Sequence, residues 1–136
     1  MLRVGIRTVR NALGSRGFAN APAQEQAICS AFKIQDSKDF DDRVKKSKVP
    51  VIVDFFATWC NPCRMLTPRI ESVIAEKQGK ILLAKVDIDE HSDLALDYEV
   101  GSIPVLIAMK DGKVLDRIVG LQDEDKLRQF VDKYTE

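Results

Sequence analysis

The nine residues VPVIVDFFA, Val49 to Ala57, constrain the fold more than any other stretch of the chain. They are mostly β-branched or aromatic and apolar at nearly every position, as expected of a strand covered on both faces. A sheet with such a strand at its heart needs a helical layer on each side. No stretch approaches the roughly 20 apolar residues of a membrane span, so a soluble protein without membrane contact is expected. One residue breaks the pattern. Asp54 is the only charge between Val49 and Thr58. On an edge strand it would face solvent, but inside a doubly covered strand burial raises its pKa and calls for a partner.

The flanking segments supply the helices. AFKIQ (Ala31 to Gln35) reads as a short strand, followed by a helix from Ser37 to about Lys46 with Phe40 and Val44 one turn apart. A second helix begins near Cys60 and places Leu66, Ile70, Val73 and Ile74 on one side, with a kink expected at Pro68. KILLAKVDID (Lys80 to Asp89) is another buried strand, and Lys85, the only charge within ILLAKV, is expected to face Asp54. Ser92 reads as the cap of a short helix ending at Gly101. Two strands from Ile103 to Gly120 turn at Asp111–Gly112. A last helix from Asp123 buries Leu127, Phe130, Val131 and Tyr134. The order β-α-β-α-β-α-β-β-α, without internal repeat, predicts a mixed five-stranded sheet: helix-linked strands pair in parallel, and the last two form an antiparallel hairpin.

Composition matters at the N-terminus. The chain of 136 residues has no net charge, yet residues 1–24 hold Arg3, Arg7, Arg10 and Arg16 and no acid. The remainder carries 17 basic and 21 acidic residues, which leaves no basic stripe for a nucleic acid. Leu2, Ile6, Val9 and Leu13 fall on one helical face, so the start reads as an amphipathic mitochondrial transit peptide. A disordered basic tail is the alternative. The arginines interrupt any secretory apolar core. RGFA (Arg16 to Ala19) resembles a matrix-processing site cut after Phe18, which gives residues 1–18 as transit peptide, 19–30 as linker and 31–136 as the folded domain.

WCNPC, Trp59 to Cys63, carries the chemistry. A metal site would need four ligands. Cys60, Cys63, Cys29 and His91 are the candidates, but Cys29 lies in the linker as a free thiol and His91 beside Ser92 reads as an exposed, unliganded residue. A structural staple is disfavoured too, because a bridge across two residues restricts the unfolded chain little. A redox pair remains. The second helix directs its unpaired N–H groups and positive end at Cys60, which lowers the thiol pKa. Pro62 suits the first helical turn. Cys63 faces the same side but sits deeper, so Cys60 attacks and Cys63 resolves. Trp59, just before an exposed Cys60, belongs at the rim. Pro104 opens a strand, a permitted place for proline.

WCNPC after VDFFAT, SIP (Ser102 to Pro104) about forty residues later, and Val119–Gly120 together resemble the thioredoxin family, from about Phe32 to the C-terminus. With the leader, the resemblance is to its mitochondrial members. It implies a thioredoxin fold, an α/β architecture with four helices flanking the five-stranded sheet behind an N-terminal extension. It implies a protein-disulfide reductase of the mitochondrial matrix, a monomer recycled by NADPH-dependent thioredoxin reductase and serving peroxiredoxins and other disulfide-bearing proteins. No bound cofactor or metal is implied. Cys60 and Cys63 would alternate between dithiol and disulfide. Asp54, partnered by Lys85, would relay protons to and from Cys63 through water. Pro104 would be cis and lie against the cysteines, and Trp59, Ile103, Val119 and Gly120 would form an apolar patch for extended peptide.

Three positions depart from the family's usual pattern. Asn61 replaces Gly inside the motif, which puts reduction potential and reductase fit at issue. Val105 replaces the Thr after the proline, and Phe56 replaces a Trp. Rival readings are an isomerase-like or glutathione-coupled oxidoreductase, which typically has His or Tyr inside the CxxC, and a non-catalytic binding module, which tends to lose a cysteine.

Overall fold

In the computed structural model, residues 30–135 are described; the leader, most of the linker and Cys29 lie outside them. The strands are β1 (Ala31–Lys33), β2 (Val51–Phe56), β3 (Leu82–Asp87), β4 (Val105–Lys110) and β5 (Lys113–Val119). The helices are α1 (Ser37–Phe40, continued by a π-helical turn Asp41–Lys45), α2 (Asn61–Ala75), α3 (Ser92–Asp97) and α4 (Glu124–Asp132). The sheet runs β1-β3-β2-β4-β5. β1 and β2 both pair in parallel with β3, while β2–β4 and β4–β5 are antiparallel.

β2 is central, and its residues Val51 to Phe55 are all buried. Strand alternation divides them between two layers. Val51, Val53 and Phe55 join Phe40, Val44, Ala84, Val86, Leu94 and Ile107 under α1 and α3. Ile52 joins Leu66, Ile70, Ile74, Leu83, Leu106, Leu127 and Phe130 under α2 and α4. Asp54, two residues from Ile52, therefore points toward α2.

Several boundaries differ from the sequence reading, each for a local reason. α1 starts behind Asp36, whose carboxylate accepts from Asp39 N–H at 2.8 Å, and its second half widens into a π turn. α2 is one element through Pro68, which lies on its exposed side. At α3 the cap position is His91 rather than Ser92, and its side chain does not cap. Instead His91 is buried, with Nε2 3.1 Å from the Ile34 carbonyl, so the expected exposed histidine ties β3's exit to β1. α3 ends at Asp97, and Glu99 rather than Gly101 adopts the left-handed conformation, at φ 56°. Tyr134 lies past α4, half-buried, with its ring on Phe130 and its hydroxyl donating to Asp116 at 3.1 Å. The hairpin is as read: Asp111 and Gly112 both have positive φ, as a primed two-residue turn requires.

Phe55 is wholly buried on the central strand, and its ring meets that of Tyr98 at a tilt of 45°. Phe55→Ala is expected to cost about 3–5 kcal/mol. Urea unfolding should show it as a lower midpoint at unchanged slope.

Candidate active site

β2 delivers the chain at Phe56, and Ala57 to Trp59 turn it into α2. Cys60 occupies the N-cap with φ −92° and ψ 109°, so its side chain lies over the open end of the helix. The Cys63 N–H donates to Cys60 Sγ at 3.2 Å. Pro62 falls in the first turn, and Asn61 and Pro62 are exposed at the rim. Cys60 and Cys63 are joined as a disulfide with Cα atoms 5.3 Å apart. In this oxidised state Cys60 is buried, not exposed as expected, at 5% against 2% for Cys63.

Trp59 does stand at the rim, 65% exposed, and its indole N–H donates to Asp89 at 2.9 Å. The Arg64 guanidinium clamps the Thr58 carbonyl with two hydrogen bonds. Opposite, the Ile103–Pro104 bond is cis, and Ile103 packs on the cluster of Ala57, Cys60 and Cys63. Trp59 and Ile103 line one cavity of about 280 Å³ with Ile88, Val100, Gly101 and Ser102. Val119 and Gly120 adjoin this wall through β5. Val119 is paired with Val105, and Gly120, at φ 92°, donates to the Pro104 carbonyl at 2.9 Å.

Behind the disulfide lies Asp54, wholly buried. Burial pushes its carboxyl up to about 7; the Thr67 hydrogen bond and the Lys85 charge pull it down, and Glu71 adds to the rise. Thr67 Oγ1 donates to Oδ2 at 3.2 Å, while Oδ1 has no hydrogen-bond partner among the described residues. Lys85 is the register partner of Asp54, as expected. Its ammonium, however, pairs with Glu71 at 2.8 Å, so it reaches Asp54 only as a nearby charge. Thr67, Glu71 and Asp89 were missed in the sequence. A signal existed for two of them: Thr67 and Glu71 follow Cys63 at i+4 and i+8, on one stripe of α2. A cavity of about 380 Å³ lined by Phe56, Ala57, Thr58, Cys63, Arg64 and Thr67 opens beside the deeper sulfur. No cluster able to hold a metal ion occurs among the described residues.

A helix-capping thiol, a second thiol one turn on and a buried carboxyl behind them are the equipment for thiol–disulfide exchange, and the protein is a thiol–disulfide oxidoreductase. Its sequence matches the thioredoxin family model over residues 31–133. It is 48% identical to the mitochondrial thioredoxin of Bos taurus, over 96% of this chain and 82% of that protein. It is 51% identical to that of Rattus norvegicus, over 78% of this chain and 64% of that protein. Among solved structures, a mutant thioredoxin from Halobacterium salinarum superposes with TM-score 0.73 at 37% identity, covering 81% of this chain and 95% of that one. A Malassezia sympodialis thioredoxin gives 0.70 at 30% identity, over 76% and 90%. The chain belongs to the thioredoxin family.

The Asp54 shift has a stability consequence. Its folded pKa of about 7 lies above the ordinary 3.8, so the folded state holds the extra proton between those values. Stability from this group is present in acid and is lost as pH rises through that window. Asp54→Asn should therefore be more stable than the parent by up to about 4 kcal/mol at pH 8 and scarcely different near pH 4. Urea unfolding of both proteins across that range measures the difference.

Proposed function

We propose that this protein is a disulfide reductase of the mitochondrial matrix, and the observation that carries the chemistry is the Cys63 N–H donated to Cys60 Sγ at the start of α2. Helix-end donors there stabilise a Cys60 thiolate in the reduced state. That thiolate attacks a substrate disulfide, forms a mixed disulfide and expels one substrate thiolate. Cys63 then loses its proton toward Asp54 and attacks Cys60 Sγ. The mixed disulfide breaks, and the second substrate sulfur leaves with the bonding electrons and takes a proton from solvent. Two electrons have passed to the substrate and Cys60–Cys63 is a disulfide.

Asp54 suits the proton step because a carboxyl with a pKa of about 7 takes and returns protons near neutrality. Trp59, Ile103, Val119 and Gly120 dock extended substrate beside the cis Pro104. NADPH-dependent thioredoxin reductase returns the two electrons, and peroxiredoxins are among the recipients. Residues 1–18 act as a transit peptide and 19–30 as a linker to the domain, a reading supported by the arginine-bearing, acid-free leader and by relatives named as mitochondrial.

Thioredoxin reductase, a disulfide-bonded protein and this chain are expected to consume NADPH together, and Cys60→Ser should reduce turnover to background. A folded parent without turnover would sink the reading. Residues 1–30 fused to a fluorescent protein should enter mitochondria and be cut after Phe18, as mass spectrometry of the fusion would show. Replacing Arg3, Arg7 and Arg10 by Glu should leave the fusion in the cytosol.

A further inference from the structure

Asp54 does not line the cavity beside Cys63, whereas Thr67 does. The carboxyl is wholly buried on β2, and its one hydrogen bond among the described residues is the one from the Thr67 hydroxyl. Thr67 is half-buried, one turn beyond Cys63 on the same face of α2. Its hydroxyl donates to Asp54, and the residue itself lines the cavity beside the resolving sulfur. The other groups facing Asp54 offer no such bridge. Lys85 on β3 is committed to Glu71 of α2, and the antiparallel neighbour on β4 is Leu106.

Taking the disulfide exchange proposed above as given, we propose that Thr67 is a positioning residue whose hydroxyl carries the proton between Asp54 and the cavity beside Cys63. A hydroxyl suits this role because it both donates and accepts. When Asp54 is ionised, Thr67 donates to Oδ2, as observed. When Asp54 is protonated, the carboxyl can donate to Thr67 and the bond survives with its direction reversed. As Cys63 attacks Cys60, its thiol proton passes to water in the cavity and from there to Thr67 Oγ1. Thr67 passes its own proton to Asp54 Oδ2 in the same exchange. One proton leaves the sulfur, one reaches the carboxylate, and Thr67 ends as it began. The cavity, at about 380 Å³, has room for that water, whose share of liquid volume is about 30 Å³.

The test follows the resolving step alone. The reduced full-length chain carrying Cys29→Ser is mixed with dithiobis(nitrobenzoate) in a stopped-flow absorbance experiment. Cys60 releases the first aryl thiolate at a rate set by reagent concentration. Attack by Cys63 releases the second in a concentration-independent phase. Thr67→Val is expected to slow that second phase on the order of 100-fold, the low end of what a positioned proton acceptor contributes. It should also move the midpoint of the pH–rate profile above about 7, since the Thr67 bond holds the Asp54 pKa down. Thr67→Ser should restore rate and midpoint. In an Asp54→Asn background Thr67→Val should add nothing, because the two act as one unit.

An unchanged second phase in Thr67→Val, or in Thr67→Ala should the valine variant unfold, would overturn the assignment. So would a Thr67→Ser variant as slow as Thr67→Val, which would make the effect one of packing. A parent chain lacking the concentration-independent phase would overturn the disulfide-exchange reading and this assignment with it.

Discussion

Double-sided burial of β2 is the constraint from which the rest of the structure follows. Val51 to Phe55 are covered on both faces and bonded on both edges, to β3 and β4. A strand in that position has a fixed register, because a slip of one residue would exchange the two hydrophobic layers. Its exit is therefore fixed as well, and the loop after Phe56 can place the first turn of α2 in one location only. The disulfide sits at that turn. A rigid strand and a rigid helix meet at Cys60, and the sulfur chemistry is positioned by two elements that packing elsewhere holds in place.

The same alternation that builds the core places a carboxyl inside it. Ile52 fills the α2 layer, and Asp54 must point the same way. An ionised carboxyl there is costly, and the single hydrogen bond from Thr67 and the nearby charge of Lys85 do not offset its burial. A neutral carboxyl is the cheaper state in acid, and the balance passes through the physiological range. The fold thus accepts a local loss of stability at neutral pH at the position where proton transfer needs an acceptor. By contrast the disulfide adds little to the folded state, since closing so small a loop removes at most about 2 kcal/mol of chain entropy. The pair is there for chemistry, not for stability.

Much of this was legible in the chain itself. Apolar runs gave β2 and β3, the 3.6-residue spacing gave α2 and α4, and the spacing of Cys60 and Cys63 at a strand-to-helix junction gave the site. What escaped depended on contacts between distant segments. His91 looks like an exposed residue beside a helix cap until β1 is folded against β3, when the Ile34 carbonyl comes within reach. Glu99 takes the left-handed turn that Gly101 seemed made for, because Arg117 on β5 donates to the carbonyls of Tyr98 and Glu99 and holds that end of α3. Lys85 was correctly placed across from Asp54. Its partner Glu71 lies on the Cys63 stripe of α2, and only the packing of that helix on the sheet brings its carboxylate within reach of the ammonium.

Thr67 shows most clearly why a polar residue on a helix is hard to read in advance. On α2 it has a proline after it and alternates with exposed Met65 and half-buried Arg69, so its neighbours suggest a solvent-facing position. Only the pairing of the Cys63 stripe with the inward face of β2 turns it toward Asp54. Once that pairing exists, the helix carries on one face the resolving sulfur, the hydroxyl and Glu71, at successive turns running away from the disulfide. β2 supplies the carboxyl, and its parallel neighbour β3 supplies Lys85 beside it. The 3.6-residue period of α2 and the parallel register of β2 with β3 thus bring these five groups together without any loop contributing to them.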